Sequence, residues 1–215
     1  MNNLPIPTNE ELLNALEERH GSELHKKLRS ASVAVCGLGG LGSNIAVLLA
    51  RAGVGKLHLI DFDKVDISNL NRQQYLIHQP GMYKTDALSE IIRSITPLCE
   101  IKTHRVKIDE DNFRELLKDE PIVCEAFDGA EQKAMLVNGV LESFPEKYLV
   151  SGSGMAGISS SNLIRTRKVA KRFYLCGDEK SDVAEGLGLV SARVMVCAAH
   201  QANMIIRIIA EEYEP

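Results

Sequence analysis

Four glycines fall within six positions, Gly37-Leu38-Gly39-Gly40-Leu41-Gly42, directly after the apolar run Ser32-Val33-Ala34-Val35-Cys36. A helical segment, Ser43 to Ala52, follows them at once. A buried strand must therefore turn sharply into a helix. Gly37 serves the tight turn, Gly39 lets backbone approach a phosphate, and Gly42 lets helix and strand pack closely. The helix then offers unpaired N–H groups and its positive dipole end to an anion. A second apolar run, Leu57-His58-Leu59-Ile60, closes on Asp61, 19 residues after Gly42, where an acid can accept from ribose hydroxyls. A purely structural glycine turn is the bland alternative. Strand, turn, helix, strand and acid in register favour an adenine-nucleotide pocket.

The pattern then repeats. Helices near Thr85 to Ser94, Asp111 to Lys118 and Ala130 to Leu141 alternate with strands near Ile101 to Val106, Ile122 to Ala126 and Tyr148 to Ser151. This alternation predicts an α/β, Rossmann-like fold, a mostly parallel sheet with helices on both faces. An amphipathic helix over Thr8 to Leu28, with Leu12, Leu13, Leu16 and Leu24 on one side, precedes it. After Gly157 two antiparallel strands are expected at Asn162 to Thr166 and Arg172 to Leu175, then a loop, Gly177 to Gly188. A long final helix, about Val190 to Glu211, carries Val194, Cys197, Gln201, Ile205 and Ile208 along one stripe. Without a repeat or linker, residues 1–215 read as one domain: a helical segment (1–30), a nucleotide-binding core (31–152) and a C-terminal part (153–215).

Composition excludes several classes. Lys and Arg number 25 against 29 Asp and Glu, a net charge of -4, so general nucleic-acid or anionic-membrane binding is not expected. No run approaches the roughly 18 apolar residues of a membrane span, and the first residues do not resemble a signal peptide, which suits a cytoplasmic protein. Cys36, Cys99, Cys124, Cys176 and Cys197 form no CxxC pair, so neither zinc nor a disulfide framework is expected. His20, His25, His58, His78, His104 and His200 show no metal-ligand spacing and read as surface or packing residues.

The glycine turn alone does not separate a dinucleotide from ATP, and an NAD(P)-dependent oxidoreductase stays open on that evidence. The segment after Asp61 differs from what hydride transfer needs. It is long, polar and charged, and it runs through Asp63, Asn69, Arg72 and Gln73, with Lys84 twelve residues after Arg72. Two fixed cations and an amide near a helix N-terminus suit a triphosphate.

Together GLGGLGS, RAGVG, DFDxVDxSNLNRQ and a following lysine resemble the ubiquitin-activating-enzyme superfamily. Within it, the ThiF-like bacterial branch that adenylates small sulfur-carrier proteins is the nearest match. The resemblance is strong over Ser32 to Asp128 and weak beyond. It implies that Gly37, Gly39, Gly40, Gly42, Asp61, Asp63, Asn69, Arg72, Gln73 and Lys84 bind ATP, with Asp61 on the ribose and Asn69, Arg72 and Lys84 on phosphates. It implies that Asp128, in Cys124-Glu125-Ala126-Phe127-Asp128-Gly129, organises Mg2+. A helix-capping role for Asp128 is the alternative. Arg72, Lys84 and Asp128 would then carry the chemistry. The reaction implied is attack by the C-terminal glycine carboxylate of a ubiquitin-like carrier on ATP, in thiamine biosynthesis, by a homodimer. A molybdopterin-type carrier and dehydration of threonyl-adenosine in tRNA are alternatives within the same fold, and a non-catalytic nucleotide-binding scaffold is a third reading.

Several departures from the family pattern stand out. Met82-Tyr83-Lys84 replaces the usual Gly-Gln-Pro-Lys. No Arg-Gln pair precedes Ser32, so Arg19 is the nearest candidate for an arginine reaching a partner subunit; a solvated helix face is the competing reading. No cysteine falls near Ala184, where some relatives carry a reactive one, and Cys176 reads as a strand-end thiol. The basic cluster Arg165, Arg167 and Lys168 to Arg172 is either a solvated face or a docking patch for an acidic carrier.

Overall fold

The computed structural model describes residues 6–186 and 188–215. Seven strands form one sheet: β1 (Ser32–Cys36), β2 (Lys56–Ile60), β3 (Glu100–His104), β4 (Ile122–Glu125), β5 (Tyr148–Gly152), β6 (Arg165–Ala170) and β7 (Phe173–Gly177), in spatial order β3-β2-β1-β4-β5-β7-β6. All neighbours are parallel except β6 and β7. The chain winds outward from β1 to β3, then crosses back to lay β4 against the other side of β1. The connections leaving β1 and β4 therefore diverge, which opens a crevice at their carboxyl ends.

Seven helices accompany the sheet among the described residues: α1 (Asn9–His20), α2 (Ser22–Ser30), α3 (Gly40–Arg51), α4 (Lys84–Ile95), α5 (Phe113–Leu116), α6 (Ala130–Ser143) and α7 (Ser191–Ile209). Successive side chains of a strand face opposite ways, and the core divides accordingly. Val33, Val35, Leu57 and Leu59 pack with Ile45 and Leu49 of α3, Leu88 and Ile92 of α4, and Val194 and Ile205 of α7. Ala34, Cys36, Ile60 and Leu149 face Phe113, Leu136 and Val140. The predicted stripe on the final helix is buried at all five positions, and Gln201 brings an amide into it.

Three expectations need correction. The first helix is two, broken at Gly21, whose φ of 78° ends α1; His20 and His25 therefore lie on different helices. Thr8 caps α1 in a capping box with Glu11. Second, Ser161–Leu163 is a 3-10 turn, so β6 begins at Arg165 rather than Asn162. The other antiparallel partner, β7, also pairs parallel with β5 and so belongs to the main sheet. Third, the segment Asp111 to Lys118 holds only the single turn α5. Elsewhere the boundaries move by a few residues; α3 starts at Gly40, inside the glycine run.

Packing explains the histidine at the centre of β2. His58 is buried, its Nε2 is 2.6 Å from His104 Nδ1, and its Nδ1 is 2.8 Å from Glu120 Oε1. All five cysteines are buried and free, Cys176 one residue from the end of β7, as a strand-end thiol.

Candidate active site

The glycine turn forms one wall of a cavity of about 1020 Å3. Gly37 adopts φ 89°, and a Cβ there would sit 2.9 Å from the Ala126 carbonyl oxygen at the end of β4. A Cβ on Gly42 would come within 1.8 Å of the Gly37 carbonyl oxygen. Both residues are demanded by backbone approaching backbone. Gly39 differs: a Cβ there would meet only Gln73 Nε2, at 3.9 Å. Gly39 is the N-cap of α3, and no side chain caps that helix. Its first N–H groups and dipole end face the cavity.

Asp61 follows β2 directly and is buried. Its Oδ2 accepts from Leu38 N–H at 2.7 Å and its Oδ1 from Asp63 N–H at 2.7 Å. Burial pushes its carboxyl up, against the pull of Lys84 and those two amides. Lys84 Nζ lies 2.9 Å from Asp63 Oδ2 and 3.9 Å from Asp61 Oδ2. Lys84 opens α4, where its N–H donates to the Asp63 carbonyl at 2.9 Å, so the strand end and the helix start hold the ammonium between them.

Asn69 uses its side-chain oxygen to accept from Asp66 N–H at 3.1 Å, which fixes the short turn Ile67–Asn69. Arg72 leaves that turn with Nη1 donating to Asn71 Oδ1 at 2.9 Å and to the Ser68 carbonyl at 3.2 Å. Two buried polar atoms in this corner, Arg72 Nε and Gln73 Oε1, have no partner among the described residues. The cavity thus gathers Gly37, Gly39, Gly40, Asp61, Asp63, Asn69, Arg72, Gln73 and Lys84, with Gly42 behind them as a packing residue.

Asp128 stands on the opposite rim, exposed, after β4. The capping alternative does not hold: Gly129 is the N-cap of α6 and no side chain caps that helix. No cluster of three or more His, Cys, Asp or Glu residues fit for a metal occurs among the described residues. Asp128 makes no side-chain hydrogen bond or ion pair among them either. A single free carboxylate of this kind fits Mg2+, which commonly takes one or two carboxylates and completes its shell with water and substrate phosphates.

Three features were not foreseen from the sequence. Glu125, fully buried at the end of β4, accepts from Phe127 N–H at 2.6 Å, from Lys133 Nζ at 2.5 Å and from Ser151 Oγ. The signal for it was a carboxylate inside the apolar run Ile122 to Ala126. Gln201, on the stripe of α7, donates to the Glu125 carbonyl at 3.1 Å. Asp178 and Arg193 form a buried ion pair beside the β5 and β7 ends, where Arg193 also donates to the Ser159 and Ser160 carbonyls at 2.6 and 2.7 Å. Burial would raise the Asp178 carboxyl, but the amides of Ser181 and Lys180, the Ser181 hydroxyl and Arg193 outweigh it and hold it at about 2. This clamp pins the loop after β7, which reaches the cavity through Lys180 to Val183.

Of the other candidates, Arg19 is exposed on α1. In the basic cluster, Arg167 pairs with Glu179 and Lys168 with Glu214. No helix is long and apolar enough to cross a membrane among the described residues.

A model of the ThiF family matches residues 12–215. The chain belongs to the ThiF family. The sequence is 40% identical over 106 residues to ubiquitin-like modifier-activating enzyme 5 of Xenopus laevis, covering 49% of this chain and 27% of that protein. It is 37% identical over 132 residues to the adenylyltransferase and sulfurtransferase UBA4 of Scheffersomyces stipitis, covering 60% of this chain and 29% of the relative. The chain thus matches less than a third of the length of either protein. In fold it resembles the E. coli tRNA N6-threonylcarbamoyladenosine dehydratase TcdA solved with ATP, with TM-score 0.86, 21% identity, and coverage of 97% of this chain and 98% of that one.

Proposed function

We propose that this ThiF-family chain is an ATP-dependent adenylyltransferase. Its substrate would be the C-terminal glycine carboxylate of a small ubiquitin-like sulfur carrier ending in Gly-Gly, of the ThiS type that serves thiamine biosynthesis. The observation that carries the reading is one cavity holding an uncapped helix N-terminus, a buried acid after β2, and the two cations Arg72 and Lys84. The curated relatives' names, a modifier-activating enzyme and an adenylyltransferase, agree with it.

A carboxylate is ionised near neutral pH and needs no general base. The protein's task is to bring two anions together and to meet the charge that develops on the phosphates. In this reading Asp61 accepts from the ribose and the α3 amides meet the phosphates. Arg72 and Lys84 are the fixed cations, with Asn69 and Gln73 completing the wall. Asp128 would hold Mg2+, which when bound neutralises triphosphate charge. A homodimer in the cytoplasm is the form in which we expect it to act.

The test is ATP–pyrophosphate exchange by the purified protein with Mg2+ and a ThiS-type carrier. Carrier-dependent exchange supports the reading, and its absence with every sulfur carrier tried sinks it. A molybdopterin-type carrier and a tRNA bearing threonylcarbamoyladenosine, as parallel substrates, separate the thiamine role from its alternatives. Bound-NADH fluorescence in place of ATP protection would favour an oxidoreductase.

A further inference from the structure

Glu125 is an unusual residue for its place. It sits in register between Cys36 of β1 and Ser151 of β5, at the carboxyl end of a central strand, and is fully buried. A buried carboxylate needs both hydrogen bonds and a counter-charge. One oxygen takes the Phe127 N–H, which bends the chain out of β4 towards Asp128, and the other takes Ser151 Oγ and the Lys133 ammonium. Lys133, on the first turn of α6, is not buried with its partner: its side chain keeps 23% exposure and lines the cavity, as does Ser151.

The placement of charge across the crevice matters. Arg72 and Lys84 both arrive from the connection after β2, on the side of the glycine turn. Lys133 comes from the other side, at the seam between the end of β4 and the end of β5. A reaction between two anions places one on each side of that seam. Lys107 and Lys180 also line the cavity, but Lys133 is the cation anchored to a buried carboxylate between the ends of β4 and β5, beside Asp128.

Resting on the adenylation reading, we propose that Lys133 receives the carrier's terminal carboxylate, and that Glu125 is the positioning residue that holds Lys133 and the Phe127 turn in place. The carboxylate oxygen bonds to the α-phosphorus while the bond from that phosphorus to the bridging oxygen breaks, and the electron pair leaves with pyrophosphate. Lys133 keeps its proton throughout. Its role is to offset charge and to aim the nucleophile.

The test compares two forms of a ThiS-type carrier, one ending in a free carboxylate and one in a carboxamide, titrated into protein loaded with a non-hydrolysable ATP analogue. Wild type should prefer the carboxylate by about tenfold. Lys133→Met should reduce the preference to less than about twofold, leaving carboxamide binding unchanged, and Lys133→Arg should restore most of it. In turnover, Glu125→Gln should raise KM for the carrier and leave KM for ATP unchanged. Because Lys133→Met leaves Glu125 without its cation, the double variant Glu125→Gln/Lys133→Met repeats the titration with no buried charge. A folded Lys133→Met or double variant that keeps the tenfold preference overturns the inference. So does a wild type without any preference that still shows carrier-dependent exchange, in which case the adenylation reading stands. Absence of exchange with any carrier overturns both.

Discussion

The backbone N–H of Leu38 donates to Asp61 Oδ2 at 2.7 Å, tying the middle of the glycine turn to the residue that follows β2. The same carboxylate holds Asp63 N–H through its other oxygen. Asp61→Ala is therefore expected to act twice. It strands two N–H groups, at about 1–3 kcal/mol for each that stays buried, and under the proposed adenylation it also removes the ribose acceptor. Asp61→Asn, which keeps one acceptor oxygen, should fall between. Chemical denaturation with and without ATP separates the two effects.

The glycines of the turn divide into two kinds, and alanine substitution should expose the division. Gly42→Ala places a Cβ 1.8 Å from the Gly37 carbonyl oxygen and should cost about 3 kcal/mol or more of stability. Gly39→Ala meets nothing nearer than 3.9 Å and should leave the melting temperature near wild type. Its loss should appear in ATP affinity, since the methyl group would occupy the path of a phosphate. Equal destabilisation of both variants would count against this assignment.

Arg72 is held by Asn71 and the Ser68 carbonyl while its Nε is buried without a partner among the described residues. Arg72→Ala should lower carrier-dependent exchange by about 10²–10³-fold, the usual effect of removing one preorganised donor, and should leave the fold intact. An unchanged exchange rate would remove Arg72 from the reaction.

These four positions also mark what the sequence carries openly. Glycines demanded by backbone contacts, and an acid closing an apolar strand, leave a local trace that spacing recovers. Partners distant along the chain leave none. Asp178 and Arg193 each look like ordinary surface charges until β7 and α7 bring them together. Glu125 gains its meaning from Ser151 and Lys133, on two other elements. The parallel pairing of β7 with β5 joins strands separated by the β6 hairpin, and its trace was compositional: apolar Phe173-Tyr174-Leu175-Cys176 against the charged Arg165-Thr166-Arg167-Lys168. At the N-terminus, leucines on one side continued through Gly21, and the periodicity masked the break that its positive φ makes.

The Asp178 carboxyl, held at about 2, adds stability that is fully present above the ordinary carboxylate value and is lost as pH falls through about 2. Wild type and Asp178→Asn should therefore differ most near neutrality and converge towards pH 2 in urea titrations. Arg193→Met leaves the buried carboxylate without its cation and should cost about 3–5 kcal/mol. A gap between wild type and Asp178→Asn that is constant across the pH range would show that the clamp does not titrate with folding.

Burial raises Cys99 and Cys176 to about 11 and pushes Cys36, Cys124 and Cys197 up as well. Since the thiolate is the reactive form, none of the five thiols should react with a disulfide reagent within minutes in the native protein, and all five should react after unfolding. Rapid modification of Cys176 alone would reopen covalent sulfur chemistry at β7.

The bare end of α3 gives the nucleotide a structural part to play. A phosphate seated at Gly39 to Leu41 would supply the acceptors that no side chain among the described residues supplies. The substrate would complete the first turn of the helix. Occupancy and folding then form one linked equilibrium, and resistance to heat should climb with the logarithm of free ATP above its dissociation constant.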